Sequence, residues 1–455
     1  MNTPVMLSYL PHHTDPWLGL PSNLFKSLGL SLNQPITLSL PGKSVTLNVY
    51  LHQSHAPVIH LPSSLGHELH LPDESFLYIN YQPASRTLEL KPILAILISH
   101  TQHPAPFGEL NDFLKELILA AKKRAVLAYV VTIHDLLPLQ APLNGWTWEK
   151  NRWIKRAFPL PHVVYNRIPS RKIERTNLYK TLKNKLAQHK IILFNQTFLN
   201  KWETHLILTN SNSLKKHLPE TMILDRASTL EMMLNKHPVI FLKPVHGSLG
   251  KGIYKIKQTP YGYESAYSTL SGEIQRRFPT VKSLVSFLNK RIKKAYIIQE
   301  GINILTYAGR PIDFRILMQK NRKGRWAVTS MVARIGAENR IVSNIARGGE
   351  MARVTQTLKQ CGISNPAAMR THLAQLAKKV AQVIDQEQKG TFGELGVDLA
   401  VSTTEQIYIL EVNSKPSKTQ DALPGLGRGG KGRPSVQRLL DYTFYLTNSR
   451  HEVER

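Results

Sequence analysis

Two apolar runs separated by the turn sequence STTEQ make up residues 393–418, which read GELGVDLAVSTTEQIYILEVNSKPSK. This pattern predicts a β-hairpin. If residues 404 and 405 form the centre of its turn, Asp398 lies opposite Glu411, with the two Cβ atoms about 5 Å apart. Asn413 points to the same face as Glu411, because side chains alternate along a strand. The hairpin therefore gathers three oxygen-bearing side chains on one surface.

Carboxylate and amide oxygens are the ligands that Mg²⁺ takes in proteins, where it keeps several waters and binds the phosphates of a nucleotide. Two unpaired carboxylates in an apolar hairpin are costly without a cation. The sequence therefore predicts a Mg²⁺ site at Asp398, Glu411 and Asn413. The alternative is that a cationic side chain, Lys415 or Arg315, neutralises the carboxylates.

A buried strand that carries Lys243 precedes a glycine-rich loop in residues 239–256, VIFLKPVHGSLGKGIYKI. Glycine lets backbone N–H groups approach phosphate oxygens closely, and a nearby lysine adds charge. The segment is not a P-loop, because a glycine follows Gly250-Lys251 and a strand resumes. A plain hairpin with a glycine turn is the alternative. The candidate phosphate contacts are Lys243, Gly247, Ser248, Gly250 and Gly252.

Three shorter segments between these two regions carry further candidate side chains. The apolar strand AYIIQEGI ends in two residues whose main chain could form hydrogen bonds with a nucleotide base. The segment PIDFRILMQ places an aspartate and an arginine on one face of a strand. The loop SNIARGGE is suited to contact with an anion. Each segment taken alone is more often structural. The candidates are Gln299 and Glu300 (residues 295–302), Asp313 and Arg315 (311–319), and Asn344 and Arg347 (343–350).

Taken in order, these motifs resemble the ATP-grasp superfamily. Within it, the segments FNQTFLNKWETHLIL, LPETMIL, FLKPVHGSLGKGI, YIIQEGI, ARGGE, GELGVDLAV and EVNSKPSK resemble the YheC/YheD family of endospore coat-associated proteins from spore-forming bacilli. The resemblance covers residues 150–447 firmly and the first 149 loosely. It implies an α/β chain with an ATP-grasp domain at 189–448.

The resemblance also implies a role for each candidate. Lys201 and Lys243 would contact the phosphates of ATP, Gln299, Glu300 and Ile302 would line the adenine site, and Asp313 would approach the ribose. Asp398, Glu411 and Asn413 would hold Mg²⁺. Arg315, Asn344 and Arg347 would face the transferred phosphoryl group and the acceptor. Phosphoryl transfer depends on such positioning and charge neutralisation more than on a protein nucleophile.

The 455 residues carry a net charge of +28, and this charge is distributed unevenly. Residues 1–100 contain four Lys+Arg and five Asp+Glu, so the whole excess lies beyond them. Such a field favours polyanionic partners. Residues 149–190 hold twelve Lys+Arg against two glutamates, which indicates either a solvated face around buried tryptophans or a polyanion groove.

The N-terminal region has a different pattern from the rest. Residues 36–50, ITLSLPGKSVTLNVY, predict a hairpin in a β-rich module at 1–92. Its histidines are interpreted as ordinary surface or packed residues, not a metal site. Residues 93–188 alternate apolar strands with the helical pattern of FGELNDFLKELILAAKKRA, which predicts a small α/β domain preceding the ATP-grasp domain.

Composition limits the class of protein. The single cysteine, Cys361, rules out an internal disulfide or a cysteine-based zinc cluster and fits a reducing compartment. The longest apolar runs fall well short of the roughly 20 residues that span a bilayer. No signal peptide is expected, because prolines interrupt the first residues. These features lead us to expect a cytoplasmic protein, and the resemblance to the YheC/YheD family implies a location in the mother cell or in the spore coat.

Three functions are compatible with the sequence. The first is an ATP- and Mg²⁺-dependent carboxylate–amine or carboxylate–thiol ligase that acts through an acylphosphate, with an acidic peptide or protein as a possible substrate. The second is a non-catalytic nucleotide-binding protein that interacts with spore coat proteins. The third, less favoured, is a nucleic-acid binder that uses residues 149–190 and the tail around Arg428, Lys431 and Arg433.

Overall fold

The computed structural model describes residues 2–11, 16–32, 34–99, 106–247, 250–268, 273–337, 349–418 and 432–449. The chain divides into two compact units. Unit 1 comprises Met1–Gln196, Lys320–Arg325 and Gly427–Arg455, and unit 2 comprises Thr197–Gln319 and Trp326–Leu426. The predicted boundaries at residues 92 and 188 stay a prediction.

The chain alternates strands and helices throughout. The strands are β1 (Asn2–Leu10), β2 (Trp17–Pro21), β3 (Ile36–Leu40), β4 (Lys43–His52), β5 (Val58–Pro62), β6 (Phe76–Gln82), β7 (Thr87–Lys91), β8 (Ile93–Ile98), β9 (Leu127–Thr132), β10 (Leu143–Glu149), β11 (Arg152–Phe158), β12 (Val163–Asn166), β13 (Ile192–Phe194), β14 (Thr221–Ile223), β15 (Val239–Pro244), β16 (Tyr254–Thr259), β17 (Gly262–Ser268), β18 (Glu273–Phe278), β19 (Tyr296–Glu300), β20 (Thr306–Tyr307), β21 (Arg310–Lys320), β22 (Trp326–Ile335), β23 (Glu350–Ala352), β24 (Glu394–Val401) and β25 (Ile407–Asn413). The helices are α1 (Ser22–Ser27), α2 (Ser63–Glu68), α3 (Asn111–Lys123), α4 (Ile133–Leu136), α5 (Arg171–Glu174), α6 (Asn177–Gln188), α7 (Lys201–Thr209), α8 (Asn212–Lys215), α9 (Ala227–Lys236), α10 (Val281–Arg291), α11 (Val354–Gln360), α12 (Pro366–Glu387) and α13 (Pro434–Asn448), with a 3₁₀ turn at Gly108–Leu110.

Unit 1 begins with the predicted β-rich region. Its first seven strands form a sheet that closes on itself in the order β1-β5-β2-β4-β3-β7-β6. The hairpin predicted at residues 36–50 is formed by β3 and β4, with Leu40 opposite Lys43. In β3 the buried and partly buried residues alternate, as expected for a strand with one face on a core.

The second sheet of unit 1 has the order β11-β10-β9-β8-β12-β13. All six residues of β8 are buried, which is typical of a parallel strand covered on both faces. Helix α3 packs on this sheet through residues such as Phe113 and Leu117, and α13 adds Leu439, Leu440 and Tyr442 to the same hydrophobic core. The helix and the strands predicted from the α/β pattern are therefore confirmed.

Unit 2 contains two further sheets. The first, β14-β19-β15-β16-β17-β18, packs one face on α9 and α10 around Leu234, Ile240 and Leu284. The second, β23-β22-β21-β24-β25, packs on α11 and α12 around Phe314 and Leu373. In the described part of the chain, no helix is both long enough and apolar enough to span a membrane.

Candidate functional site

The hairpin of β24 and β25 has the predicted pairing of its acidic residues, but its geometry differs from the prediction. Near the turn, Val401 pairs with Ile407 and Leu399 with Ile409, so the turn is centred on residue 404. A β-bulge between Asp398 and Leu399 then shifts the register and places Asp398 opposite Glu411. A bulge inserts one residue and redirects the side chains beyond it. Leu410 is that residue, and Glu411 thereby shares the face of Asp398.

Asp398 is enclosed by arginine side chains. It pairs with Arg315 through both carboxylate oxygens, and the bond from Arg315 Nη2 to Oδ2 is 2.9 Å long. Arg334 Nη2 lies 3.0 Å from the same Oδ2, and Arg334 Nε donates to Asp313 Oδ1 at 2.5 Å. Each of the four side chains is at most about one tenth exposed. Two carboxylates and two guanidinium groups therefore form a neutral buried cluster.

The buried cluster fixes the charge state of its members. Burial acts to raise the pKa of Asp398, but the charges of Arg315 and Arg334 together hold that pKa below its ordinary value. Burial also acts to lower the pKa of Arg334, and Asp313 and Asp398 outweigh it and raise that pKa. Asp398 is thus paired with Arg315, the cation named in the alternative to a metal site, and with Arg334, while its role as a Mg²⁺ ligand stays a prediction.

Glu411, by contrast, is paired with a lysine. Lys201 Nζ lies 2.6 Å from Glu411 Oε1 and donates to the carbonyl oxygen of Gly247 at 3.1 Å. Lys201 is the first residue of α7, whose N-cap Asn200 accepts a hydrogen bond from the backbone N–H of Glu203 at 2.8 Å. The capped helix start thus brings the lysine to the carboxylate hairpin and to the glycine-rich loop together.

The second predicted lysine lies on the neighbouring sheet. Lys243, on β15, donates to Gln299 Oε1 on β19 at 2.5 Å. Burial, and then the positive charge of Lys201, lower its pKa to about 8. Gln299 in turn donates to Thr221 Oγ1 at 3.1 Å. Lys243 is therefore held in place by Gln299, which is itself held by Thr221.

A cleft in unit 2 joins these groups. It encloses about 490 Å³ of space, including some that is open to solvent. Apolar side chains line much of it, as in many sites for small molecules. The lining residues are Leu199, Lys201, Thr204, His205, Leu208, Leu218, Lys243, Ile297, Gln299, Ile409, Leu410, Glu411 and Val412.

The segment predicted to read the base follows Gln299 at the end of β19. The backbone N–H of Glu300 donates to Glu220 O at 2.9 Å, and its Oε2 accepts from the N–H of Glu220 at 3.1 Å. The carbonyl oxygen of Ile302 accepts from the N–H of Ile304 at 3.0 Å. The N–H of Glu300 is therefore committed to strand pairing, and Ile302 is half-buried beside it.

The glycine-rich loop has the predicted strands on both sides, because β15 pairs antiparallel with β16. Gly250 and Gly252 have φ angles of 67° and 72°, in the region that favours glycine. A Cβ at Gly252 would lie 2.9 Å from the hydroxyl of Tyr296. Ser248, Asn344 and Arg347 lie outside the described residues.

The sequence interpretation missed Arg334 and a second buried ion pair. Lys418 Nζ lies 2.5 Å from Glu394 Oε2, both side chains are fully buried, and Gln319 Nε2 donates to the same oxygen. This pair ties the segment after Asn413 to the start of β24. Each missed residue is a charge within or beside an apolar strand, which is the signal that could have found it.

The donor set fits Mg²⁺ in part. Among the described residues, no cluster of three His, Cys, Asp or Glu side chains is arranged to hold a metal ion. Glu411 and Asn413 share a strand face, and Lys201 is a long side chain that can turn away from Glu411. Asp398, in contrast, has both oxygens engaged by arginines. Glu411 and Asn413 therefore fit a metal better than Asp398 does.

Comparison with known proteins identifies the family. Residues 190–446 match the family model described as YheC/D like ATP-grasp. The chain is 26% identical over 417 residues to the endospore coat-associated protein YheD of Bacillus subtilis (strain 168), covering 89% of each protein. It is 22% identical over 310 residues to YheC of the same organism, covering 68% of this chain and 85% of YheC.

Among solved structures, a D-alanine–D-alanine ligase from Bacillus anthracis aligns with a TM-score of 0.47 and 13% identity, over 80% of this chain and 100% of that one. That similarity is too low to assign an activity. The family match covers more than half of the chain, and it confirms the α/β ATP-grasp fold that the motifs implied. The protein therefore belongs to the YheC/D-like ATP-grasp family.

Proposed function

We propose that this protein is an ATP- and Mg²⁺-dependent ligase that activates a carboxylate and transfers the acyl group to an amine or a thiol. The observation that carries the proposal is the meeting of Lys201, Lys243 and Glu411 at one cleft of unit 2. Two lysines can bind the phosphates of a nucleoside triphosphate, and a carboxylate beside them can bind its metal ion. The ATP-grasp family membership supports the same function.

In this reaction a carboxylate oxygen of the substrate attacks the γ-phosphorus of ATP, and ADP leaves. An amine or thiol then attacks the acyl carbon of the acylphosphate, inorganic phosphate leaves, and the nucleophile gives up its proton. Both steps move negative charge between oxygens, so they depend on fixed cations more than on a nucleophilic side chain.

The residues of the cleft would divide this work. Lys243, held by Gln299, would bind the phosphates, and Lys201 would exchange its contact with Glu411 for a phosphate oxygen. Glu411 and Asn413 would hold Mg²⁺, which supplies charge neutralisation at the β- and γ-phosphates. Gln299, Glu300 and Ile302 would line the base, with the loop glycines Gly247, Gly250 and Gly252 near the phosphates.

In the arginine cluster Arg315 keeps its predicted role and Asp398 takes another. Arg315 and Arg334, fixed on Asp398 and Asp313 in a cluster without net charge, would donate N–H hydrogen bonds to the transferred phosphoryl group. In this arrangement Asp398 positions the arginines, and it contributes to a metal site only if one of them is displaced. Asn344 and Arg347 keep their proposed roles near the acceptor.

A second candidate function has support in the same cluster. With Asp398 neutralised, the site is poorer in free carboxylates than a two-metal phosphoryl-transfer site requires. The protein would then bind nucleotide without turnover and act by interacting with other proteins. In either case we propose that it works in the mother cell and in association with the endospore coat; the names of YheD and YheC state coat association for those two proteins.

Calorimetric titration of ATP, with and without Mg²⁺, tests the nucleotide site. We expect binding that requires Mg²⁺ and that Glu411→Gln weakens by at least about tenfold, equivalent to about 1.4 kcal/mol. Glu405→Gln, which removes an exposed charge at the turn of the same hairpin, is the matched control and should leave binding unchanged. Equal affinity with and without Mg²⁺, or for both variants, would contradict the metal assignment.

Release of ADP separates the two functions. Purified protein is incubated with ATP, Mg²⁺ and pools of carboxylic acids, acidic peptides, amines and thiols, and ADP is measured by a coupled assay. Acceptor-dependent release that is lost in Lys243→Met supports the ligase. Tight ATP binding without release in any pool supports the non-catalytic protein.

A further inference from the structure

The face of the sheet that carries Lys243 has further cations on two of the next three strands, β16 and β18, with Glu264 of β17 between them. Lys255, on β16, pairs with Phe241 on β15, and Phe241 shares the face of Lys243. Residues directly opposite in an antiparallel pair point to the same face. Lys257 pairs with Glu264 on β17, which pairs in turn with Arg277 on β18. We call Lys243, Lys255, Lys257 and Arg277 the cationic face.

The opposite side of this sheet is the hydrophobic core. Tyr254, Tyr267 and Phe278 alternate onto that side and pack with Phe287 of α10. The aromatic side chains of the three outer strands are thereby directed away from the cationic face. The two surfaces of the sheet thus have separate roles, one packed on helices and one polar.

The cationic face runs from the cleft out to solvent. Lys243 lines the cleft, Lys255 is half-buried, and Lys257 and Arg277 are exposed. Three strand spacings separate β15 from β18, or about 14 Å. A substrate chain that lay along this line would have one end at the phosphate site and the other at the rim.

The segment that contains β16, β17, β18 and α10 has a large excess of positive charge. Residues 251–294 contain ten Lys+Arg and two Asp+Glu. Arg277 Nε lies 3.6 Å from Glu264 Oε2, and two carboxylates can neutralise at most two of the ten cations within the segment. The rest attract an anionic partner.

We propose that the cationic face binds an acidic polypeptide whose carboxylate is the group activated at the cleft. This inference rests on the proposed ligase function and adds the class of substrate to it. Four or five extended residues span about 14 Å and so reach from β18 to β15.

Nucleic acid fits this face less well. Single strands are bound by cationic grooves together with aromatic side chains on which bases stack. On the three outer strands the neighbours of the cations are Glu264, Ala266 and Gln275, and the aromatic residues lie on the core side. Phe241, on β15, shares the cationic face, but it is half-buried and Lys243 Nζ lies 5.6 Å from its ring centroid. The cations of this face can pair with the carboxylates of an acidic peptide, and Glu264 and Gln275 can form hydrogen bonds with its peptide groups.

The test measures binding of a fluorescein-labelled oligo-glutamate peptide by anisotropy at low ionic strength. The variant is Lys257→Gln with Arg277→Gln, and the control is Lys282→Gln with Lys290→Gln, which removes the same charge from the exposed side of α10. All four residues are exposed, so both proteins should fold. ATP titration of each variant checks the fold and the nucleotide site independently of the peptide.

We expect wild-type protein to bind the peptide, with affinity that falls as salt rises. The face variant should lose about tenfold in affinity and the α10 control less than about twofold, because only the face variant loses charges within a few ångströms of the peptide. ATP affinity should be the same in all three proteins.

Three results would overturn the proposal: no peptide binding by the wild type, equal losses in the two variants, or tighter binding of a DNA oligonucleotide of equal charge that depends on the same two residues. Failure of the nucleotide site is a separate outcome, since it is read from the ATP titration alone.

Discussion

Replacement of Lys243 by methionine should stabilise the nucleotide-free protein at neutral pH, although it removes a proposed phosphate contact. The pKa of Lys243 falls from 10.5 to about 8 in the folded protein, a difference equivalent to about 3 kcal/mol at about 1.4 kcal/mol per unit. Methionine keeps the apolar packing and leaves Gln299 Oε1 without its donor, which costs about 1 kcal/mol. The expected net gain at pH 7 is therefore about 2 kcal/mol.

The dependence of this gain on pH identifies its cause. Between pH 8 and 10.5 the unfolded chain holds the Lys243 proton and the folded chain does not, so the stability of the wild type rises with pH in that window. The advantage of the methionine variant should shrink by about 1.4 kcal/mol from pH 7 to pH 9. Urea unfolding of both proteins at the two pH values measures it, with exposed Lys257→Gln as the control. A difference between wild type and variant that does not change with pH would refute the reasoning.

The remaining predictions concern binding and packing. ATP affinity should fall about tenfold between pH 7 and pH 9 as Lys243 loses its proton, and calorimetry should show no such fall in Lys243→Arg. Arg334→Met should cost about 3–5 kcal/mol in urea unfolding, because it leaves Asp313 and Asp398 with one guanidinium between them, and a loss below about 1 kcal/mol would show that the cluster is not coupled. Gly66→Ala should lower the thermal midpoint by an amount equivalent to about 1–3 kcal/mol, because the new Cβ would lie 2.2 Å from the Tyr9 ring, whereas exposed Ser64→Ala in the same helix should have little effect.

Local patterns were sufficient to predict much of the fold. Alternation predicted the hairpin at residues 36–50, and a helical pattern between two apolar runs predicted α3 and its neighbouring strands. These signals are local, because the pattern of apolar residues within each helix or strand indicates which of its faces is buried. The closure of the N-terminal sheet depends instead on pairings such as β1 with β5 and β3 with β7, which join segments distant in the chain.

The sequence predicted several residues that the cleft of unit 2 brings together, and it predicted fewer of the contacts between them. The pairing of Asp398 with Glu411 followed from the hairpin, although the turn is centred on residue 404 and a bulge restores the register. Arg334 was missed because its partners lie on other strands, and the spacing of residues along one strand carries no information about them. Similarly, the contact of Lys201 with Glu411 joins residues 210 positions apart.

The place of α13 in the core of unit 1 has a consequence for the order of events during synthesis. Leu439, Leu440 and Tyr442 share a hydrophobic core with strands β8, β9 and β12, yet the whole of unit 2 lies between them in the chain. A ribosome that has completed unit 2 has therefore made every residue of the cleft in unit 2 before this core can close. Unit 2 can therefore fold before the core around α13 is complete, and until that helix leaves the exit tunnel the second sheet of unit 1 lacks the apolar cover of Leu439, Leu440 and Tyr442.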